Sequence, residues 1–522
     1  MKEEYLVRQK PKKQGQRSKA HHRAGGIFGT FEWLITAISL TLVFIVFQMQ
    51  AYTIPTGSMA DTLKGAHFRL RCSQCGYGYD YNFQPNAPCY KMPENYVPKM
   101  NVPVGPDTPR CPSCGYYLQT GGRIAVGDYN KRQVTKGDRI FVLKCIYQFT
   151  EPKRWDVVVF RNPTEPKINY IKRMIATPGE TVEIIDGDVY IDGQIARKPA
   201  KVQEELWMSV YDNDYQPVNP TERRFNKHPW RQPFTNIRGS DWNLDGRNQT
   251  QFSLDDPTGK THTIMYHTNI GNDFKATYAY DDSRHYPTMP ICSDLMIRFY
   301  VGSDSKGSVG AGLSKYGILY EGRVDLSGQM VIEKITGRQR LELARLRINA
   351  VQIDESVLFR FANVDHQLIL DFGDESLKFD FGRTPDNAGR RQTDIKPEAA
   401  IFGAGKLTLS HIGIFRDIHY LTSKRPSHMK ILRAGEGDAF ELGADEFFVL
   451  GDNSPASKDS RLWDKPGKGN GRRQYRQGIV PRDYLVGKAF FVYWPGAMRP
   501  FAKWWRIIPY IGGMKVIYGG DY

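Results

Sequence analysis

The sequence predicts a mainly β protein: one apolar helix near the N-terminus, then a strand-built core interrupted by two inserts. Three observations carry this. A single stretch, about Ile27 to Met49, is predominantly apolar; strand-like runs recur from Gly137 to Trp494; and the composition shifts twice on the way. Residues 66–122 are rich in Pro, Gly, Tyr and Cys with little periodicity, whereas residues 201–443 alternate cleanly between apolar and polar. A chain of 522 residues has room for two or three domains at about 100–200 residues each. Its 40% hydrophobic and 12% aromatic content supports packed cores rather than disorder.

Taken in order, residues 1–26 form a basic tail with Lys2, Arg8, Lys10, Lys12, Lys13, Arg17, Lys19 and Arg23. The formal charge of +16 could suggest a nucleic-acid partner. No helix-turn-helix, zinc-finger helix or base-stacking platform accompanies it, so no nucleic acid is expected. The basic cluster precedes residues 27–49, densest in apolar side chains between Trp33 and Phe47, and about 20 such residues cross a bilayer as a helix. The lipid bilayer is therefore the expected partner: a single-pass transmembrane helix in the plasma membrane, its N-terminus cytoplasmic and everything after Met49 exported. A cleavable signal peptide is the competing reading. It would need a small-x-small site, which Gln48-Met49-Gln50-Ala51-Tyr52 lacks.

The core is expected from residues 50–65, 123–200 and 444–522. Its strands read as Arg139–Leu143, Asp156–Phe160, Tyr170–Ile175, Thr181–Ile185 and Val189–Ile191, then Glu446–Leu450 and Lys488–Trp494. Asp186-Gly187-Asp188 is a hairpin turn signal. Trp504, Trp505 and Tyr510, among Arg and Lys, suit a bilayer surface. Within residues 201–443, runs such as Leu368–Phe372 and Leu377–Phe381, separated by Gly373–Ser376, predict a β-sandwich of jelly-roll or lectin-like type. Its histidines (His228, His262, His267, His285, His411, His419) lack ligand spacing. Protein or glycan binding are the roles such a module allows.

Four short segments carry the chemistry. In Ile54-Pro55-Thr56-Gly57-Ser58-Met59, Pro55 and Gly57 hold Ser58 exposed, as a nucleophile requires, although a serine in a Pro/Gly loop is usually a turn residue. In Tyr170-Ile171-Lys172-Arg173, Lys172 sits in an apolar strand context. It is either an outward-facing lysine or one whose burial disfavours the ammonium until the neutral amine can take a proton. Gly137-Asp138-Arg139-Ile140-Phe141-Val142 is a turn into a core strand. Gly451-Asp452-Asn453-Ser454-Pro455-Ala456-Ser457-Lys458-Asp459-Ser460-Arg461 is a polar loop after a very apolar strand.

In this order after one N-terminal span, the four segments resemble the conserved boxes of bacterial type I signal peptidases, over roughly residues 30–65, 123–200 and 444–495. The resemblance implies a signal-peptidase-type β core and a Ser-Lys dyad serine endopeptidase. It makes Ser58 the nucleophile, Lys172 the general base, Thr56 a partner of the Ser58 N–H in the oxyanion hole, and Ser457 the residue that orients the lysine. Asp459 and Arg461 correspond to supporting ion-pair residues. Ile54, Met59, Leu63, Tyr170 and Ile171 fall around the shallow pockets that accept small side chains. The implied substrates are exported preproteins with small-x-small cleavage sites, bound as an added strand, and no cofactor is needed for catalysis. Two departures are Ala60, where the family often has proline, and Ala176-Thr177 ahead of Pro178-Gly179. The alternative is a membrane-tethered binding protein on an inactive peptidase scaffold, against which Ser58, Lys172, Thr56 and Ser457 are all present.

Cys72-x-x-Cys75 and Cys111-x-x-Cys114, each followed by a glycine, resemble a zinc ribbon and suit a structural Zn²⁺. Disulfides are the rival pairing on an oxidising side of the membrane. Cys89, Cys145 and Cys292 are left over. Both inserts should join the core at closely spaced ends. Removal of about residues 201–440 should then leave the dyad geometry largely intact.

Overall fold

The computed structural model describes residues 25–86, 92–93, 96–99, 101–104, 109–118, 131–245, 250–303, 307–350, 356–382, 395–425, 428–469, 474–498 and 508–520. The basic residues from Lys2 to Arg23, together with Cys89, Trp504 and Trp505, lie outside them. The chain divides into two compact units, residues 1–50 and 51–522. In the first, Gly25–Phe47 is a 23-residue helix. Its described side chains include exposed Phe31, Trp33, Leu34, Ile35, Ile38, Leu40, Leu42 and Val43. Among the described residues no helix is long and apolar enough to cross a membrane.

The second unit is mainly β. Its central antiparallel sheet runs Met49–Thr53, Arg139–Leu143, Leu485–Trp494, Val157–Asn162, Glu165–Ala176, Glu446–Leu450, Val480–Pro481, with Lys515–Val516 also paired to Leu485–Trp494. Both faces are covered, which explains strands that are apolar throughout. Val157 and Val159 join Ile140, Val142, Ala489 and Val492 in one apolar cluster, while Val158 and Phe160 join Met174, Phe447, Val449 and Trp463 in another. A second sheet pairs Gln194–Ile195, Asp188–Ile191, Thr181–Ile185 and Phe440–Glu441. Asp186 and Gly187 both have positive φ (49° and 87°), the backbone a tight hairpin of right-twisted strands requires.

The large insert differs from the expected sandwich. Its strands form one 13-stranded sheet organised on the 18-residue strand Ala399–Arg416. That strand pairs with His262–Tyr266, Phe252–Asp256 and Met208–Asp212 in turn on one edge, and with Ser308–Lys315 and Leu295–Gly302 on the other. Gly405, at a φ of 91°, sits where the partner changes from one strand to the next. The sheet curls until Gln339–Arg347 at one end meets Glu375–Asp380 at the other. One core, with Phe252, Ile297, Phe359, Phe361 and Ile401, fills the interior. A strand this long and bent serves both halves of the sheet, so closure is barrel-like rather than face to face.

Packing also moves the junctions. Val202 and Leu206 of the helix Ala200–Leu206, with Ile418, Tyr420, Ala434 and Leu442, belong to the apolar cluster of Ile175, Val182, Ile184 and Phe448. By packing, the insert runs from about Trp207 to Arg416 rather than from 201 to 443. A buried ionic cluster sits on this junction. Lys198 contacts Asp365 and Asp417 (2.7 and 2.8 Å), and Lys315 contacts Asp294 and Asp188. Burial and the Asp294 charge push the Asp188 carboxyl well up. This is the one acidic cluster among the described residues that could hold a cation, but the two ammonium groups already occupy it.

The turn at Gly137-Asp138 clasps both ends of the loop that carries Ser58. Ile54 N–H donates to the Asp138 carbonyl (2.8 Å), Asp138 N–H to the Lys64 carbonyl (2.9 Å), and Lys64 N–H to the Asp138 carboxylate (2.8 Å). A Cβ on Gly137 would strike the Ile54 carbonyl oxygen, a backbone atom that cannot swing away. Gly137→Ala should therefore destabilise the protein by about 1–3 kcal/mol, the usual cost of overpacking, measured by denaturant unfolding.

Candidate active site

Ser58 and Lys172, 114 residues apart in the chain, meet: Lys172 Nζ lies 2.6 Å from Ser58 Oγ and donates to the Ile171 carbonyl at 2.9 Å. Lys172 projects from the central strand Glu165–Ala176, opposite Val158, and is only 3% exposed. Burial lowers its ammonium to about 8; Asp459 and Asp452 oppose the shift and Arg461 adds to it. At that value a usable fraction of neutral amine exists near neutral pH, and its lone pair can accept the Ser58 hydroxyl proton.

The loop under Ser58 is held between two walls. Ile54, Met59 and Leu63, all buried, pack into the central-sheet cluster, with Ile171 against it. On the other side Ala60 packs on Tyr278 and Tyr280, and Gly57 faces the Tyr280 ring so closely that a Cβ has no room. Gly65 is pressed on the Thr56 backbone, and Gly451 on Ser457 and the Ser58 carbonyl. Thr56 is exposed and Ser58 half-buried, so the open side of the loop is the one that carries Ser58. Tyr170 lies beside the lysine, its ring 5.5 Å from Nζ.

Beneath the dyad lie two buried ion pairs. Arg173 grips Asp452 with two bonds (2.8 and 2.7 Å) and donates to the Trp155 carbonyl (2.9 Å). Arg461 grips Asp459 likewise (2.9 and 2.7 Å) and ties down Ser454 and the Leu421 carbonyl. Burial pushes the Asp459 carboxyl up, but Arg461, the Ser457 hydroxyl and the Gly451 N–H more than offset it, leaving it below its usual value. Ser457 is buried beside Asp459, and its Oγ makes no hydrogen bond of good geometry to Lys172 or to any other group among the described residues. A cavity of about 1430 Å³ lies next to the site, lined by Asp61, Thr62, Tyr77, Arg110, Asp281 and Arg416, and touches neither Ser58 nor Lys172.

Arg173, Asp452 and Asn453 stand inside segments already singled out, yet their roles were not legible: adjacency in a motif does not say which carboxylate a guanidinium meets. Tyr278, Tyr280 and Asp281 carried no signal, because aromatic residues in a β-rich insert read as core.

Residues 125–260 and 411–494 match the family described as "Signal peptidase, peptidase S26". The chain is a relative of the type I signal peptidases. It is 36% identical over 94 residues to signal peptidase I T of Bacillus subtilis, covering 17% of this chain and 48% of that protein. It is 48% identical over 77 residues to signal peptidase I of Pseudomonas aeruginosa (14% and 26%), and 26% identical over 165 residues to that of Rickettsia prowazekii (32% and 42%). The chain thus spans half or less of the length of these signal peptidases. Among solved structures, a carbohydrate-binding module from Bacillus subtilis is similar at a TM-score of 0.24 and 8% identity, covering 36% of this chain and 99% of that one.

A second cluster stands apart from the signal-peptidase segments. Cys72, Cys75, Cys111 and Cys114 are free thiols whose sulfurs converge, Cys72 to Cys114 at 3.7 Å and Cys75 to Cys111 at 3.6 Å. Zn–S bonds of about 2.3 Å in a tetrahedron put sulfurs about 3.8 Å apart, so the set fits such an ion and is far from disulfide length. Two matching knuckles build it: Gly76 and Gly115 (φ 78° and 76°) return their N–H groups to the Cys72 and Cys111 carbonyls at 2.9 and 3.0 Å. Cys292 is a buried free thiol, and burial pushes it up to about 12.

The Arg173–Asp452 pair has no exposed side-chain surface. Removing one partner leaves a bare buried charge, so Asp452→Ala should cost about 3–5 kcal/mol in equilibrium unfolding.

Proposed function

We propose that the protein is a membrane-anchored signal peptidase that cuts exported preproteins with a Ser58–Lys172 dyad. The observation that carries the reading is the 2.6 Å contact between Ser58 Oγ and a buried lysine amine lowered to about 8. Neutral Lys172 takes the Ser58 proton as Oγ attacks the scissile carbonyl carbon. The oxyanion is received by the Ser58 N–H and the Thr56 hydroxyl. As the C–N bond breaks, the lysine hands its proton to the leaving amine, releasing the mature chain. Lys172 then takes a proton from the water that attacks the acyl-serine and returns it to Ser58 Oγ as that bond breaks, which frees the signal peptide and restores the neutral amine. Every proton is carried by one amine, so no metal or organic cofactor enters these steps.

By the resemblance, Ile54, Met59, Leu63, Tyr170 and Ile171 would shape the shallow pockets that accept small side chains before the cut. The sequence pattern alone, a basic tail followed by the mainly apolar run of residues 27–49, supports a plasma-membrane anchor with the N-terminus cytoplasmic and the peptidase outside. Ser457, buried behind the dyad, would orient the lysine, as the resemblance implies. The four cysteines would hold a structural Zn²⁺; a closed Cys₄ shell leaves no open position for chemistry.

Ser58→Ala and Lys172→Ala should each abolish cleavage of a purified preprotein without unfolding the enzyme. Lys172→Arg should fail too, because guanidinium is never neutral. Since only the neutral amine works, kcat/KM should climb about tenfold per pH unit below the lysine's value and level off above about 8; a profile flat from pH 6 to 9 would reject Lys172 as base. Elemental analysis should find about one zinc per chain, lost in a Cys72→Ser/Cys111→Ser variant; full thiol titration of a metal-free native protein would dismiss the metal.

A further inference from the structure

Residues 272–282 belong to the large insert, and nothing in the proposed chemistry draws on them. Yet they touch every part of the site's frame. Asn272 Nδ2 donates to the Pro112, Ser113 and Val210 carbonyls (2.6, 3.0 and 2.8 Å), joining the cysteine knuckle to the insert. Asn82 N–H donates to the Tyr280 carbonyl (2.9 Å), and Tyr280 OH reaches the Ala66 carbonyl (3.3 Å). Tyr278 OH donates to the Asp452 carbonyl (2.7 Å), while Arg416 donates to Thr277 and covers the Tyr278 ring.

At the end of this segment is Asp281. Its Oδ1 accepts from Asn453 Nδ2 (2.9 Å), whose second N–H goes to the Gly57 carbonyl (3.1 Å). The Asn453 backbone N–H donates to the Ser58 carbonyl (3.1 Å). One asparagine thus grips the peptide groups on both sides of the nucleophile, and Asp281 sets which way its amide faces. We propose, on the reading of Ser58 as nucleophile, that Asp281 is a positioning residue of the peptidase, acting through Asn453, and that the insert is a working part of the active site. The expectation that residues 201–440 can be removed with the dyad undisturbed is thereby withdrawn.

The cost of the arrangement supports a positional role. Asp281 is half-buried, with one hydrogen bond from the Asn453 side chain, and its Oδ2, shielded from solvent, has no hydrogen-bond partner among the described residues. Desolvation, opposed by Asn453 and reinforced by Asp61 and Asp282, pushes its carboxyl up to about 7. A buried, half-satisfied carboxyl costs stability. Two acceptors, Asp281 Oδ1 and the Gly57 carbonyl, nevertheless face the Asn453 Nδ2, and that leaves its amide one orientation. The Tyr280 ring closes on Gly57 from the same segment, so loop and insert can shift only together.

The experiment uses the full chain and three variants. Asp281→Ala should lower kcat for preprotein cleavage about 10–100-fold, the penalty for misplacing a catalytic group by about 1 Å, with KM within about twofold. Asp281→Asn keeps an oxygen that accepts the same bond and should recover kcat to within about fivefold of wild type. Asp281→Ala and Asn453→Ala should be strongly non-additive, as for one shared interaction. Amide hydrogen exchange, which needs no turnover, should speed up over residues 54–63 in Asp281→Ala and return to wild-type rates in Asp281→Asn. The proposal is overturned if Asp281→Ala leaves both kcat and exchange in 54–63 unchanged, if Asp281→Asn fails to restore them, or if the double variant is additive. A wild-type protein that cuts no preprotein would sink the proposed function instead, and the exchange measurement would still decide on Asp281.

Discussion

On the proposed reading of Lys172 as a base, the lysine has to be dry and the hydroxyl it serves has to be reachable. The rest of this structure depends on that conflict. Lys172 is taken out of water by a central strand covered on both faces, whereas Ser58 sits on a loop at the sheet's surface with one side open. An amine and a hydroxyl from such different settings stay 2.6 Å apart only if the loop cannot move. Hence the turn at Asp138 closes its two ends, glycines at 57, 65, 137 and 451 let neighbours approach to contact, and Asn453 holds the peptide groups around the serine.

Charge near the amine is arranged with the same economy. Asp452 and Asp459 are each matched by a guanidinium in a two-bond grip, so neither presents a naked negative charge to Lys172. A bare carboxylate there would favour the ammonium and silence the base. Desolvation outweighs what Asp459 and Asp452 still contribute, Arg461 works with it, and the amine is lowered. Buried ion pairs are seldom net stabilisers; here they anchor the loop after Leu450 while keeping the local field small.

The inserts belong to this frame. The larger one is docked through the Lys198 and Lys315 cluster and through the segment from Asn272 to Asp282, which also meets the cysteine knuckle. The cavity beside the nucleophile loop is walled by residues from all three parts. An insertion whose ends lie close together can be a passenger. This one reaches back over the core and packs on the catalytic loop.

Much was legible in the chain itself. Residue types decided the mainly β class, the hairpin at Asp186-Gly187, the knuckles at Gly76 and Gly115, and the four segments that hold Ser58, Lys172, Asp138 and Asp459, because turns, apolar strands and short motifs are local. What only tertiary structure decided is pairing across distance. Arg173 meets Asp452, Asp281 meets Asn453, Tyr280 meets Gly57, and Ala399–Arg416 draws one curled sheet out of strands that read as a sandwich. Helices and turns are written in the spacing of neighbours, whereas the partner of a side chain hundreds of residues away is chosen by how sheets curl and pack, which no local pattern encodes.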